Sequence, residues 1–548
     1  MKKEISEVPK NQTLSWNNWS KNVIFNPTEV DGNYYHLPCN FDDLKTILQK
    51  AQDRIASGEK ITIRVSGQRH SATPLVIDAE TKHGQIWIVD LSQYNDLGPT
   101  GEDSIVLNED NTVTVNSGVR EDQLSIFLTK NNLHLKTGTA GGFFSIGGIV
   151  AVDVHGSNVN NSIFSSNVIE FTVINSKGEK QTYNKNSPQF EGHNIMDFYY
   201  TSLGALGIIT SVTLEVSPRP YKTSIEPSCC WPGHYEKNSF IKTIKPILTD
   251  LDFHQAEFFF SPYKYPTLGY AILILEWKKN TNPKCKTPND IKPVPNNQKY
   301  LLDKSWGAPY LSGSLEKTEE KVFLWTQNCK MKVNGQTSIS TAQTSIHGFM
   351  KTAEKNNSLL WLPKALKVGF MSYFIPLPDN ADYGLDAAWN ALEVIINAVE
   401  SKEFVQALPV EFRFVENSSA LLSGTYSSST SKRFISIEIE FASNKDNTYA
   451  QNTLNFLAKV EYQWRKLGGL PHHGKMYGFY NPDTVTDENN ITGTPPFNKS
   501  YLSYLKELRK ENFQLFSKYQ KTVDPDGLFS TKYLEDIGVC NYDSHDEK

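Results

Sequence analysis

The stretch from Thr137 to Ser157 constrains this chain more than any other part of it. It reads Thr-Gly-Thr-Ala-Gly-Gly-Phe-Phe-Ser-Ile-Gly-Gly-Ile-Val-Ala-Val-Asp-Val-His-Gly-Ser, six glycines in 21 residues interleaved with β-branched side chains. Glycine reaches backbone conformations closed to other residues, at an entropic cost, so a run this dense predicts a chain that folds tightly and approaches something closely. A second loop of this texture, Ser66-Gly-Gln-Arg-His-Ser71, follows the alternating strand pattern of residues 61–66. A turn there can aim consecutive backbone N–H groups at an anion, and two such loops in one domain can enclose a pyrophosphate.

The surroundings of these loops read as α+β. Phe41–Gly58 places Leu44, Ile47, Leu48, Ala51 and Ile55 on one helical stripe. Strands are predicted at Gln85–Asp90, Thr112–Asn116 and Val168–Asn175, with a helix over Glu121–Asn131. In Ser202–Val216 glycines lead into an alternating strand. No early Gly-x-Gly-x-x-Gly occurs, so a doubly wound dinucleotide-binding sheet is not predicted. Beyond Pro218 and Pro220 the texture changes. Strands are expected at Ala256–Phe260, Tyr270–Trp277 and Phe434–Phe441, helices at Asp386–Val399 and Tyr449–Leu467, and a loop at Lys278–Lys299. A helix over Lys499–Tyr519 and a turn at Asp524-Pro-Asp-Gly close the chain.

Composition excludes several classes. The 548 residues carry 55 basic and 60 acidic side chains, a net charge of −5 that argues against a nucleic-acid partner. The six cysteines form no Cys-x-x-Cys and no zinc-spaced cluster, so they read as free residues and no metal site is expected. The first ten residues lack an apolar stretch, and the apolar runs Tyr270–Glu276 and Ser202–Val216 are too short to span a membrane. These features read as a cytoplasmic protein with no signal peptide and no transmembrane segment.

Two groups of residues carry chemistry. Glu411 and Arg413 stand two apart on a predicted strand, hence on one face, among Val410, Phe412 and Phe414, which can line a dry pocket. Lys475 follows His472, His473 and Gly474, a setting in which imidazole can act as a base near neutral pH.

Together these segments resemble the vanillyl-alcohol oxidase (p-cresol methylhydroxylase) superfamily of FAD enzymes. Residues 66–71 resemble its Gly-x-Gly-His-Ser loop, Ser145–Ser157 its Ile-Gly-Gly…His-Gly-Thr/Ser loop, and Leu203–Val216 its Leu-Gly-x-Leu-Gly-Ile-Ile-Thr strand. Within it, Asn18-Trp-Ser, Glu257–Tyr263, Pro409–Phe414, Gly469–Lys475 and Asp524–Leu534 are most similar to the sugar-1,4-lactone oxidase group, with alditol oxidase nearby. Two departures stand out. Gln68-Arg69 replace the second glycine and its neighbour before the flavin histidine, and His473 replaces the tryptophan of His-Trp-Gly-Lys. Gly141–Ser157 also looks similar to the class II cholesterol oxidases.

The resemblance implies a two-domain FAD-binding fold, with residues 1–220 and 481–548 in the FAD domain. Residues 221–480 would form a substrate domain on a large antiparallel sheet. It implies FAD held by Ser66, Gly67, Gln68, Arg69, His70, Ser71, Ser145, Gly147, Gly148, His155, Gly156, Ser157, Gly207, Ile208 and Ile209, with His70 at the position that often bonds covalently to the flavin. Glu411, Arg413, Lys475 and His472 stand at the catalytic positions. The implied activity is oxidation of a CH–OH group of a small alcohol or lactone by hydride transfer to flavin N5, with oxygen accepting the electrons and hydrogen peroxide leaving. Two alternatives stand beside the lactone or polyol oxidase: a sterol or bulky-alcohol oxidase, and a flavin-binding module without catalysis.

Overall fold

The computed structural model describes residues 16–25, 35–78, 86–139, 144–218, 227–249, 254–265, 269–278, 368–442 and 448–541, apart from 19, 21, 402, 403, 405, 407–409 and 428–430. The expected loop at Lys278–Lys299 lies, beyond its first residue, outside the described residues.

After a short antiparallel ribbon of Trp16–Asn17 with Ile24–Phe25, three parallel strands follow: β1 (Tyr35–His36), β2 (Thr62–Val65) and β3 (Ile86–Val89), in the order β1-β3-β2. Helix α1 (Phe41–Ala56) buries Leu44, Leu48 and Ala51 against them, while Ile47 and Ile55 close the edge of the same small core. Asn40 caps it by accepting the Asp43 N–H, and the acids Asp42 and Asp43 in the first turn favour the helix dipole. A second, antiparallel sheet follows. It comprises β4 (Ile105–Leu107), β5 (Thr112–Asn116), β6 (Leu133–Leu135), β7 (Val168–Ile174), β8 (Lys180–Asn184) and β9 (Ile208–Pro218). The order is β8-β7-β9-β5-β4, with β6 pairing the far end of β9. Helix α2 (Glu121–Lys130) lies between β5 and β6, and the glycine-rich run contributes the short helix α3 (Ile146–Val150).

The largest sheet among the described residues has seven strands, all antiparallel. They are β10 (Pro227–Tyr235), β11 (His254–Tyr265), β12 (Gly269–Lys278), β13 (Val368–Leu377), β14 (Val410–Glu416), β15 (Arg433–Ala442) and β16 (Leu470–Pro471). They run in the order β10-β12-β11-β14-β15-β13-β16. Alternation splits this sheet into two unlike faces. One carries Phe258, Phe260, Phe412, Phe414, Ile435, Ile437, Ile439, Met371, Tyr373 and Ile375, which share a core with Leu385, Trp389, Leu392 and Ile396 of helix α5 (Leu385–Glu400). Helices α4 (Lys237–Thr249) and α6 (Gln451–Lys466) complete that layer. The other face carries Glu257, Glu411, Arg413, Ser436, Glu438 and Glu440, aligned by the pairs Glu411↔Glu438 and Arg413↔Ser436. The α+β class and the large antiparallel sheet are as expected from the sequence.

The C-terminal segment differs in one respect. In place of one helix over Lys499–Tyr519 there are two, α7 (Lys499–Leu508) and α8 (Lys510–Val523), broken at Arg509. The reason is tertiary. The buried Arg509 guanidinium turns inward and donates to the carbonyls of Leu421, Leu422 and Ser423. Cys39 and Cys540 are free, and among the described residues no helix is long and apolar enough to cross a membrane.

Arg64 on β2 joins the remote parts of the first region. Fully buried, it donates to the carbonyls of Leu75, Leu203, Gly204 and Phe529 at 2.6–2.9 Å, and burial draws its guanidinium down to about 10. Replacement by methionine fills the space but leaves four buried carbonyls without a donor. We expect Arg64→Met to lose about 3 kcal/mol or more of stability, read as a lower urea midpoint.

Candidate active site

The glycine-rich loops meet each other. A side chain at Gly67 would strike the Ser145 hydroxyl, one at Gly156 would strike Thr137 and the Gly138 carbonyl, and one at Gly147 would meet Ser117 Cβ at 2.7 Å. The close approach expected of these glycines is therefore present, and it is between segments of this chain. Gly148 lies beside Ser145 in the same turn. Gly141 and Gly142 lie outside the described residues. At the start of β9, Gly207 adopts φ +118°, where a side chain would also collide with the Ile174 carbonyl. Ile208 and Ile209 follow it into the core.

Arg69 answers one of the two departures. It has φ +62°, the left-handed region, where the resembled loop has glycine. That conformation costs a non-glycine residue about 1–2 kcal/mol. Its side chain is gripped in return. The guanidinium donates to Tyr35 Oη at 3.1 Å and lies over the rings of Trp16 and Tyr35. Tyr35 itself donates to Asp90, and Trp16 Nε1 donates to Ser66 Oγ at 3.0 Å. Gln68 and Ser71 flank this anchored turn, and the Ser71 carbonyl accepts from Asn18. The next residue, His70, has its ring edge-on to Phe144 with centroids 4.8 Å apart. Burial, and then the charge of Lys475, hold His70 well below the usual histidine range, so the ring is neutral.

The loops close on the polar face of the seven-stranded sheet. His155 Nε2 lies 2.9 Å from Ser436 Oγ. Ala256 N–H donates to the Ser157 carbonyl at 2.8 Å, Ala72 N–H to the Gly474 carbonyl at 2.8 Å, and Thr73 Oγ1 to the His473 carbonyl at 2.7 Å. Asp153, 0% exposed, accepts the His473 N–H at 2.8 Å and the Gly424 N–H at 3.1 Å. Its Oδ1 is 3.1 Å from His472 Nδ1, which also faces the Gly474 N–H at 2.9 Å. A proton on Nδ1 serves Asp153, and a lone pair there serves Gly474. The His472 ring stacks on Phe374 at 5.5 Å and 17°. Burial lowers it below the ordinary histidine value against the pull of Asp153, and the same holds for His155 chiefly through burial and Arg413.

Arg413 and Glu411 form an ion pair, and Arg413 also donates to Glu257 at 2.9 Å. Lys475 pairs with Glu438 at 2.7 Å and sits over the Phe370 ring. Burial raises the Glu411 carboxyl well above its usual range, opposed by Arg413 and reinforced by Glu257, Glu438 and Glu440. Burial and then Glu438 push Glu440 up to about 8. The structure thus brings Glu411, Arg413, Lys475 and His472 together with His155, and the charge of Lys475 reaches His70. Asp153, Glu257, Ser436, Glu438 and Glu440 were missed. The signal for the last three was present, since Ser436, Glu438 and Glu440 alternate with Ile435, Ile437 and Ile439.

Residues 34–184 match the family model described as FAD binding domain, and residues 379–537 match D-arabinono-1,4-lactone oxidase. The solved structure titled "Solvent-stable cholesterol oxidase" aligns with a TM-score of 0.61 at 16% identity, over 96% of this chain and 97% of that one. The class is therefore an FAD-binding flavoprotein of α+β, two-domain architecture, and FAD is its cofactor. In sequence the chain is similar to the vanillyl-alcohol oxidase superfamily and, within it, to the sugar-1,4-lactone oxidase group. The D-arabinono-1,4-lactone oxidase of Saccharomyces cerevisiae is 25% identical over 215 residues, 39% of this chain. The L-gulonolactone oxidase of Bos taurus is 21% identical over 433 residues, 78% of this chain and 81% of that one. The chain spans only 36% of the length of the Saccharomyces cerevisiae relative and 32% of that from Yarrowia lipolytica.

The residues present fit the cofactor. Ser117 Oγ and Thr137 Oγ1 are buried with no hydrogen-bond partner among the described residues, and they border the backbone of Gly147 and Gly156. Buried hydroxyls left open in this way are uncommon unless a ligand completes them.

The Glu440 shift has a measurable sign. A carboxyl raised to about 8 from 4.5 favours the folded state at low pH and loses that contribution as pH rises through about 8. Glu440→Gln should melt with wild type at about pH 4 and above it at about pH 9, checked by thermal melts across that range.

Proposed function

We propose that the chain oxidises a CH–OH group of a neutral sugar lactone or polyol, of the D-arabinono-1,4-lactone type, with oxygen as acceptor and hydrogen peroxide as product. The observation that carries this reading is the meeting of two sets of residues. Arg413, Lys475 and His472, on and beside the polar sheet face, stand against the loops of His70 and His155. FAD, when bound, supplies the acceptor for the hydride and returns the electrons to oxygen.

The protein positions and polarises. Ser66–Ser71, Ser145, Gly147, Gly148, His155–Ser157 and Gly207–Ile209 cradle the cofactor. His70, kept neutral by burial, has the nucleophilic nitrogen that a covalent bond to the flavin ring requires. Lys475 and Arg413 hold fixed positive charge where negative charge develops. With Nδ1 accepting the Gly474 N–H, His472 carries its proton on Nε2 and offers that N–H to a substrate oxygen. Glu411 orients the substrate hydroxyl. The division into an FAD domain (1–220 with 481–548) and a substrate domain (221–480) belongs to the same reading. It is supported by the bonds from Arg64 to Phe529 and from Lys532 N–H to Asp78.

Two measurements test it. Acid precipitation of purified protein should leave yellow flavin in the pellet, and His70→Ala should move it to the supernatant. Peroxide formation with D-arabinono-1,4-lactone should fall about 10²–10³-fold in kcat for Lys475→Met. Peroxide formed from cholesterol and from no lactone or polyol would replace the reading by its bulky-alcohol alternative, and a chain that takes up no FAD would overturn both.

A further inference from the structure

The turn that carries His70 is gripped twice. Toward the site, Gly67 abuts the Ser145 hydroxyl and the Ala72 N–H donates to the Gly474 carbonyl at 2.8 Å. The second grip comes from the ribbon of residues 16–25. Trp16 Nε1 donates to Ser66 Oγ at 3.0 Å, Asn18 Nδ2 to the Ser71 carbonyl at 3.0 Å, and Asn22 Nδ2 to the Ala72 carbonyl at 2.7 Å. The ribbon thus holds the turn at both of its ends. Its own shape is locked, because Asn18 Nδ2 also donates to Asn22 Oδ1 at 2.7 Å and Asn18 Oδ1 accepts the Val23 N–H at 3.1 Å. The middle of the turn is held through Arg69. Its guanidinium lies over the Trp16 and Tyr35 rings and donates to Tyr35 Oη, itself bonded to Asp90 just past β3. Glycine would take the left-handed conformation of Arg69 without strain. What arginine adds at this position is the grip, since its backbone there is the costlier choice.

We infer that Trp16, Asn18, Asn22 and Arg69 are positioning residues for FAD. They clamp the 66–72 turn in its binding shape before the cofactor arrives, so the cofactor site extends to a ribbon that lies outside both glycine-bearing loops. This rests on the place of Ser66–Ser71 in the FAD cradle and deepens it. Backbone N–H groups bind an anion only while their turn keeps its shape, and a turn ordered in advance takes nothing from the binding energy to order itself. Without the clamp the contacts of Gly67 and Ala72 toward the site remain, but the residues between them, Gln68 to Ser71, are left for the cofactor to order. Freeing the backbone of one residue weakens binding by about tenfold.

The test exploits the left-handed residue. Full-length protein produced under flavin limitation is titrated with FAD, and binding is followed by the loss of flavin fluorescence. Arg69→Gly relieves the backbone and removes the grip. It should bind FAD about tenfold more weakly than wild type, yet melt within about 2 °C of wild type before FAD is added. Arg69→Lys, which keeps a cation over the two rings, should recover most of the affinity. Trp16→Phe and Asn22→Ala each remove one bond to the turn and should weaken FAD binding in the same direction. Wild-type affinity in Arg69→Gly and Asn22→Ala overturns the inference, as does weaker binding confined to variants that also melt well below wild type. A wild-type chain that takes up no FAD overturns the cofactor assignment itself, so the two failures are distinguishable.

Discussion

Asp153 lies with no exposed surface between three segments that are far apart in sequence. It takes a hydrogen bond from Gly424 and one from His473, and faces His472 across 3.1 Å. An isolated carboxylate so placed would cost several kcal/mol, and it is tolerated because those donors replace water. The consequence is geometric. The loop after α3, the turn at 420–426 and the histidine loop before Lys475 can occupy only one arrangement. Arg509 reinforces it from the far side, binding the carbonyls of Leu421, Leu422 and Ser423. Had Asp153 been apolar, the glycine-rich run would still pack on β9, but nothing would fix the height of His472 above Phe374.

Around that point, charge is distributed with little slack. Apart from the Asp153 carboxylate, the first region contributes neutral groups to the site, the imidazoles of His70 and His155 and the backbone of its glycine turns. The sheet contributes nearly all the fixed charge, from β11, β14 and β15, with Lys475 from the loop after β16. This separation suits a cofactor whose ring changes charge during reaction. The neutral side can approach closely, and the charged side responds electrostatically without moving.

Much of this was legible in the sequence where local periodicity and tertiary environment agree. The stripe of Leu44, Leu48 and Ala51 and the pairing of Glu411 with Arg413 on one face needed only the periods of helix and strand. The resemblance supplied Lys475 and the flavin loops. What escaped needed the third dimension. Ser436, Glu438 and Glu440 read as the wet face of an ordinary strand until another part of the chain closes over it. The break at Arg509 depends on carbonyls almost 90 residues earlier, at 421–423. Asp153 is one acid among glycines and β-branched residues, and no spacing rule marks it. At Arg69 the missing glycine looked like a defect in the motif. The fold instead keeps the left-handed turn and anchors its side chain on Trp16 and Tyr35.

The alternation of the seven-stranded sheet has a consequence for how this protein can change over generations. Odd positions of β15, Ile435, Ile437 and Ile439, belong to the helix-packed core, while even positions, Ser436, Glu438 and Glu440, belong to the site. Mutation at an even position alters the chemistry offered to a ligand and leaves the jigsaw of the core untouched. Selection for folding and selection for ligand preference thus act on interleaved but separate letters of one strand, and a lineage can explore new ligands without first purchasing spare stability.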